Sequence, residues 1–260
     1  MITMKFNNKN ITISPSAKIG FNVKIGDNTT IYDNVEIGDY SIIANDCIIG
    51  EPLNDYYYNE SYSNPVLKIG AQSLIRSHCI IYAGSKIGAN FNTGHRVTIR
   101  ENSTIGSNCS IGTLCDIQGD VTIGDYCHFH SNVHISQKSK VGNFVFMYPY
   151  SVITNDPCPP SNDLKGSFIG DYSIIGVHSI ILPGIKIGEN CLIGANSLVT
   201  RSVNDFSLVS GEPAKTVVDV RKLIKIGKKR SHYPWIYNFE KNMPWAGMGY
   251  DNWKEIQNRL

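Results

Sequence analysis

Isoleucine returns every sixth residue along most of the chain: at Ile13, Ile19, Ile25, Ile31, Ile37 and Ile43, again from Ile69 to Ile135 with Thr93 and Phe129 as exceptions, and from Ile169 to Ile193. A helix repeats every 3.6 residues and a strand every two, so neither accounts for a period of six. A fixed hexapeptide period is the mark of a parallel β-helix, in which each hexapeptide forms one face and three close a coil.

The other positions of the hexapeptide fit that reading. Position two is often Gly (Gly20, Gly26, Gly38, Gly70, Gly88, Gly106, Gly124, Gly170, Gly188), which is expected where a corner needs positive φ. Position three favours Asn or Asp, as in Asp27, Asp33, Asp39, Asp125 and Asp171, residues that suit a tight turn. Position five is small: Thr29, Ser73, Ser85, Ser103, Ser139, Ser173, Ser197. Strand alternation sends positions one and five inward and six and two outward. At about 4.8 Å per coil, eight to nine coils make a prism roughly 40 Å long.

Composition limits the alternatives. The 260 residues, 42% of them hydrophobic, suffice for one main core. A net charge of +2 predicts no nucleic-acid partner. No apolar run reaches the length of a membrane span, and the polar start of the chain lacks a signal-peptide core, so a cytoplasmic protein is expected. Of seven cysteines, six (Cys47, Cys79, Cys109, Cys115, Cys127, Cys191) fall on the inward small-residue position, and only Cys158 lies off the repeat. That distribution argues for core thiols in a reducing compartment.

The period breaks in three places, where function is expected to concentrate. The first break, 50–68, carries Tyr56, Tyr57, Tyr58 and Tyr62; the second, 155–168, carries three prolines. Beyond Lys215 the repeat stops, dividing the chain into a solenoid over 1–215 and an aromatic-rich extension over 216–260. The extension is expected to begin as a helix and to pack on the prism or on a neighbouring subunit.

A residue and its counterpart 18 positions on share a column of the stacked coils. Asp116 and His134 are so related at an outward position, where the carboxylate would orient the imidazole and raise its basicity. A solvated ion pair is the bland alternative. Glu101 and Asn155 share another column, at the edge that follows the His134 strand, whereas His95 lies at the opposite edge beside Thr93. Within one chain His95 and Glu101 are therefore a strand's width apart. His128, His130 and His134 spell a metal-like HxHxxxH, but His134 falls around a corner from the other two, so no metal is expected.

These segments together resemble the hexapeptide-repeat acyltransferases, whose coils carry an [LIV]-[GAED]-x-x-[STAVC]-x pattern over most of 13–215. The stretch from Thr93 to Glu101, TGHRVTIRE, is similar to a family segment near the acceptor site of sugar acyltransferases, and GEPAK, Gly211 to Lys215, is similar to the one that closes the prism in CoA-using members. Thr154, Asn155, Asp156, Pro159, Pro160, Lys165 and Gly166 match a family loop that projects toward the acceptor. The resemblance implies an all-β solenoid, specifically a left-handed parallel β-helix with a short C-terminal α-helical extension. It implies acyl transfer from acetyl-CoA or another acyl-CoA to the amine of a nucleotide-linked sugar, most simply a dTDP-linked 3- or 4-amino dideoxysugar. It also implies a homotrimer with its sites between subunits. The catalytic candidates are then His134, His95, Glu101 and Asp116; the acceptor-binding candidates Asn155, Asp156 and Arg100; and the CoA-binding candidates Gly176, Ala195, Arg201, Gly211, Pro213, Ala214 and Lys215. An O-acetyltransferase, a xenobiotic acetyltransferase and a non-catalytic structural β-helix are the competing readings.

Overall fold

The computed structural model describes residues 6–223 and 232–259. Most strands are two residues long, and each pairs in parallel with its neighbours one coil away. Three sheets result. The first stacks ten strands, from Thr12–Ile13 to Leu198–Val199, and the second nine, from Lys18–Ile19 to Lys186–Ile187. The third runs from Lys24–Ile25 to Leu192–Ile193 and then takes in a hairpin, Ser207–Gly211 with Ala214–Asp219, for eleven strands. The all-β solenoid expected from the period is the observed fold, and one α-helix, Tyr250–Gln257, follows it. The prism is longer than eight to nine coils, because Ile48–Glu51 and Ile80–Tyr82 pair across the first insertion and keep the ladder continuous.

The column rule holds. Asp116 pairs with His134 and Ile117 with Ile135. Ile81, Ile99, Ile117 and Ile135 are fully buried, as are Ser85, Ser103 and Ser173 beside them. Those hydroxyls donate to carbonyls of the next coil: Ser85 to Arg100 at 2.9 Å, Ser103 to Gln118 at 3.1 Å and Ser173 to Gly188 at 2.8 Å. The six expected core cysteines are buried and Cys158 is exposed. Burial pushes the Cys127 thiol well above its ordinary range, which keeps it protonated and unreactive.

The corners correct one expectation. Positive φ belongs to position four, where Asn22, Asn28, Asn34, Asn90, Asn102 and Asn108 lie between +54° and +61°. The glycines at position two serve another purpose. Gly follows every strand of the second sheet, from Gly20 to Gly188, without adopting positive φ. A Cβ on Gly170 would stand 2.6 Å from the Gly188 carbonyl carbon and oxygen and 2.8 Å from the Glu189 nitrogen. Close approach of successive coils thus selects glycine here. Position three adds a ladder of its own, in which Asp171 Oδ1 accepts the Asn143 N–H at 2.8 Å and Asn143 Oδ1 the Asp125 N–H at 2.9 Å.

Aromatic residues occupy the left-handed position at one end of that same corner. Tyr126, Phe144 and Tyr172 have φ of +56°, +58° and +61° and stack with centroids 5.1 and 5.0 Å apart. A non-glycine residue there costs about 1–2 kcal/mol. What offsets it is the C-terminal extension: Trp235, Ile236, Met243, Trp245 and Tyr250 are buried in one cluster with Phe144, and Trp235 Nε1 donates to the Tyr172 carbonyl at 2.7 Å. The extension therefore packs on the prism as expected, but mostly as turns. Val217–Asp219, expected to open a helix, are strand, because the hairpin pairs Leu208 with Val218. Residues 224–231, where that helix was to continue, lie outside the described residues. The first insertion is a loop with a single 3-10 turn, Asn54–Tyr57, whose Tyr56 ring packs edge-on against Tyr32, Tyr57 and Tyr62.

The glycine argument is checked by Gly170→Ala. The added methyl meets backbone on the next coil and is expected to cost about 1–3 kcal/mol, measured as a lowered urea midpoint at unchanged far-ultraviolet circular dichroism.

Candidate functional site

Elimination narrows the surface. The outer face of the second sheet is mostly exposed lysines, Lys18, Lys68, Lys86, Lys140 and Lys186, with Glu36, Thr104, Thr122 and Phe168 between them, and the extension covers the third sheet around Phe146 and Ile174. The outer face of the first sheet remains, together with the stretch of the third that carries Asn92, Ser110 and His128.

That stretch of the third sheet holds a cleft of about 750 Å³. Asn92, Ser110 and His128 form its floor as one column of register partners. Arg76, Gly94, Thr113, His130 and Ser131 line the corner beside them, and Asn242 reaches in from the extension. The lining includes amides, hydroxyls, two imidazoles and one guanidinium, but no carboxylate. Such a surface suits a ligand rich in hydroxyls that carries negative charge.

His128 is the unusual group of this cleft. Its ring stacks on Phe146 at 5.0 Å and 17°, and Phe146 in turn packs edge-on against Trp235 and Phe239. His128 Nε2 is buried without a hydrogen-bond partner. Burial foremost, and the neighbouring His130 second, hold its pKa below the ordinary 6.5, so the ring is neutral at pH 7. His95 stands at the rim next to Gly94, with its Nδ1 2.8 Å from Ser77 Oγ and its N–H donated to Thr113 Oγ1 at 3.2 Å. Thr93, the break in the apolar column, is buried, and its hydroxyl accepts the Arg76 N–H at 2.8 Å.

Three stretches of this chain, 16–51, 102–137 and 166–201, match the bacterial transferase hexapeptide (six repeats) family. Those three stretches carry the hexapeptide repeat of that family. It is similar to the galactoside O-acetyltransferase of Lactococcus lactis, 37% identical over 81 residues that cover 28% of this chain and 39% of that protein. It is also similar to the chloramphenicol acetyltransferase of Agrobacterium fabrum, 45% identical over 49 residues that cover 19% and 23%. The chain thus spans between about a quarter and two-fifths of these relatives. Among solved structures, the Arabidopsis UDP-N-acetylglucosamine acyltransferase shares the fold, with a TM-score of 0.53 and 16% identity over 98% of this chain and 90% of that one.

The residues singled out in this hexapeptide protein fall into separate groups. Asp116 Oδ2 and His134 Nδ1 approach to 3.1 Å as a half-exposed contact on the first sheet, around a corner from the cleft. At the far edge of that sheet Arg100 donates twice to Glu101, both bonds at 3.0 Å, while its guanidinium lies over the Tyr82 ring. Asn155 donates to the Gln137 carbonyl at 3.4 Å. Asp156 accepts from the Ser161 hydroxyl and N–H, both at 2.7 Å, and these bonds hold its carboxyl below the usual range. Arg100, Asn155 and Asp156 are thus committed to partners of their own chain, away from the cleft.

At the C-terminal end of the prism, Arg201, Ala214 and Lys215 line a second cleft of about 270 Å³, which puts two cations at one opening. Gly211 and Pro213 form the adjoining hairpin turn, with the Gly211 N–H donated to Ser197 Oγ at 3.3 Å. Gly176 and Ala195 stack on each other at a corner that does not line that cleft: a Cβ on Gly176 would lie 2.7 Å from the Ala195 nitrogen. Among the described residues no group of three His, Cys, Asp or Glu side chains converges, and no helix is long and apolar enough to cross a membrane.

The floor of the main cleft was missed as a group, although its signal was present. From Ile42 onward the outward residues of the third sheet are otherwise apolar (Ile42, Leu74, Phe146, Ile174, Leu192), and Asn92, Ser110 and His128 interrupt them between Leu74 and Phe146.

The half-buried imidazole of His128 makes a pH dependence. The unfolded chain titrates near 6.5 and the folded ring lower, so protons bind the unfolded state preferentially. Stability from this group is complete above 6.5 and falls as the pH drops through that value. Urea unfolding at about pH 5 and about pH 8 is expected to show a larger acid loss in the wild type than in His128→Asn.

Proposed function

We propose that this hexapeptide protein is an acyl-CoA-dependent acyltransferase acting on the amine of a nucleotide-linked sugar, with the acceptor in the third-sheet cleft. The observation that carries this reading is the carboxylate-free cleft of amides, hydroxyls and neutral imidazole, with Arg76 at one side and Thr93 and Gly94 of the TGH segment in its lining. Sugar hydroxyls pair with the amides, and the diphosphate pairs with the guanidinium. The acetyltransferase names of its partial relatives support the reaction class.

In the reaction, the amine nitrogen attacks the thioester carbonyl carbon and a C–N bond forms. The C–S bond then breaks, and the thiolate leaves and takes up the proton lost by the amine. His134 beside Asp116, His95 and Glu101 are the candidate proton carriers, and coil-edge N–H groups are the donors to the oxyanion. Arg201 and Lys215, gathered at one cleft, favour the CoA phosphates there. Gly211, Pro213 and Ala214 shape that opening, and Gly176 and Ala195 offer backbone along the pantetheine path.

A homotrimer with its sites between prisms is part of the proposal. The first-sheet face bears the apolar Val152, Ile180 and Leu198 in place of lysines, which suits a neighbour of the same chain. Such a neighbour would bring Arg100, Asn155 and Asp156 toward a cleft they do not reach alone. The buried, unpaired thiols suit the cytoplasm.

The test is mass spectrometry of dTDP- and UDP-linked amino sugars incubated with acetyl-CoA, with thermal shifts recorded for each ligand. A gain of one acetyl group on an amino sugar is expected. No transfer together with no stabilisation by either ligand class would overturn the reading. The half-exposed Asp116–His134 contact favours O-acetylation as a second reading, since a hydroxyl needs a stronger base than a neutral amine. In the preferred reading His134→Ala keeps substantial turnover on the amine; its loss would favour the hydroxyl acceptor.

A further inference from the structure

We infer that the C-terminal extension is the specificity wall of the acceptor cleft, and that Asn242 hydrogen-bonds a hydroxyl of the bound sugar. The inference rests on the acceptor occupying the third-sheet cleft.

Every other residue lining that cleft belongs to the repeat or its corners; Asn242 alone comes from the extension. Its side-chain amide has no partner among the described residues and is exposed, so its donors and acceptor are free for a ligand. Its backbone is held. Asn242 sits at φ +61° in a turn closed by the Met243 N–H donating to the Glu240 carbonyl at 3.0 Å. Met243 and Trp245 on its C-terminal side are buried in the aromatic cluster that ties the extension to Phe144, and Trp245 Nε1 donates to the Phe239 carbonyl at 3.0 Å. A polar group with no internal partner, mounted on a buried anchor, is pre-organised for a ligand rather than for the fold.

The chemistry selects the partner. The cleft lining lacks carboxylates, and Asn242 adds a neutral donor and acceptor to it. Neutral amides discriminate sugars by hydroxyl position, because an amide that the bound ligand covers and leaves unpaired costs more than a lost contact. The repeat fixes the floor of the cleft, and the extension decides which sugar fits its end.

The test is Asn242→Gly, which keeps the left-handed backbone without strain and removes the amide. Steady-state kinetics with the amino-sugar nucleotide that the wild type acetylates are expected to show an acceptor KM raised about tenfold. The acetyl-CoA KM and the thermal midpoint should stay unchanged, and discrimination between epimeric acceptors should weaken. Conversely, Asn242→Gln, with the same amide on a longer arm, should shift preference between epimers. Wild-type transfer accompanied by an unchanged acceptor KM and unchanged epimer preference in Asn242→Gly would overturn this inference and leave the acyltransferase reading intact. A wild type inert toward every amino-sugar nucleotide would overturn both.

Discussion

Every residue of the prism rests on its counterpart one coil away, and the rest of the structure answers to that stacking. Two-residue strands have too few hydrogen bonds to stand alone, so each depends on the strands above and below it. The stack admits one spacing. Isoleucine fills the inward column, serine or cysteine fits beside it, and at the corner after the second sheet only glycine lets the next coil approach. Aromatic rings stack mostly on the outside, and Phe91 and Phe129 are the two taken into the core.

That rule gives the aromatic corner its meaning. Asn meets the left-handed position at low cost, yet Tyr126, Phe144 and Tyr172 replace it in three successive coils. Their strain is local and their stacking is columnar, so the rings form a continuous ledge. The extension lies on that ledge and shields Phe146 and Ile174 from solvent. Where the ledge stops, the cover stops, and the outward column changes from Phe146 to His128, Ser110 and Asn92. Cleft and ledge are two halves of one face, divided by how far the extension reaches.

The fold was legible because its signal is periodic. Column arithmetic placed His134 over Asp116 and buried six cysteines. The purpose of the position-two glycines was misread, because contact between coils is invisible in a single hexapeptide, and a glycine reads first as a flexible turn. The strand over Val217–Asp219 was hidden for a related reason: its partner, Leu208, belongs to a coil outside the hexapeptide count. The candidate site was less legible. TGH lies beside the cleft and Arg201 with Lys215 lines another, but Arg100, Asn155 and Asp156 face partners of their own chain. Asn242 carries no motif at all. Its position depends on how an aperiodic segment folds against the prism, and aperiodic chain has no column to count along.

The polar break in the third-sheet column also has an energetic argument. Asn92 and Ser110 replace residues that, elsewhere in the column, contribute apolar cover, and His128 leaves a ring nitrogen unpaired. An unpaired buried acceptor costs roughly 1–3 kcal/mol, and nothing in the coil stacking requires it, since Phe146 shows that an aromatic ring without nitrogen fits the neighbouring coil. Apolar residues in that column would have continued the ledge and given the extension more surface to cover. A scaffold that is regular elsewhere thus gives up stability at three adjacent positions, beside a turn of the extension that presents the amide of Asn242. Those four residues line one cleft, and a ligand that pairs with them recovers what the fold alone leaves unsatisfied.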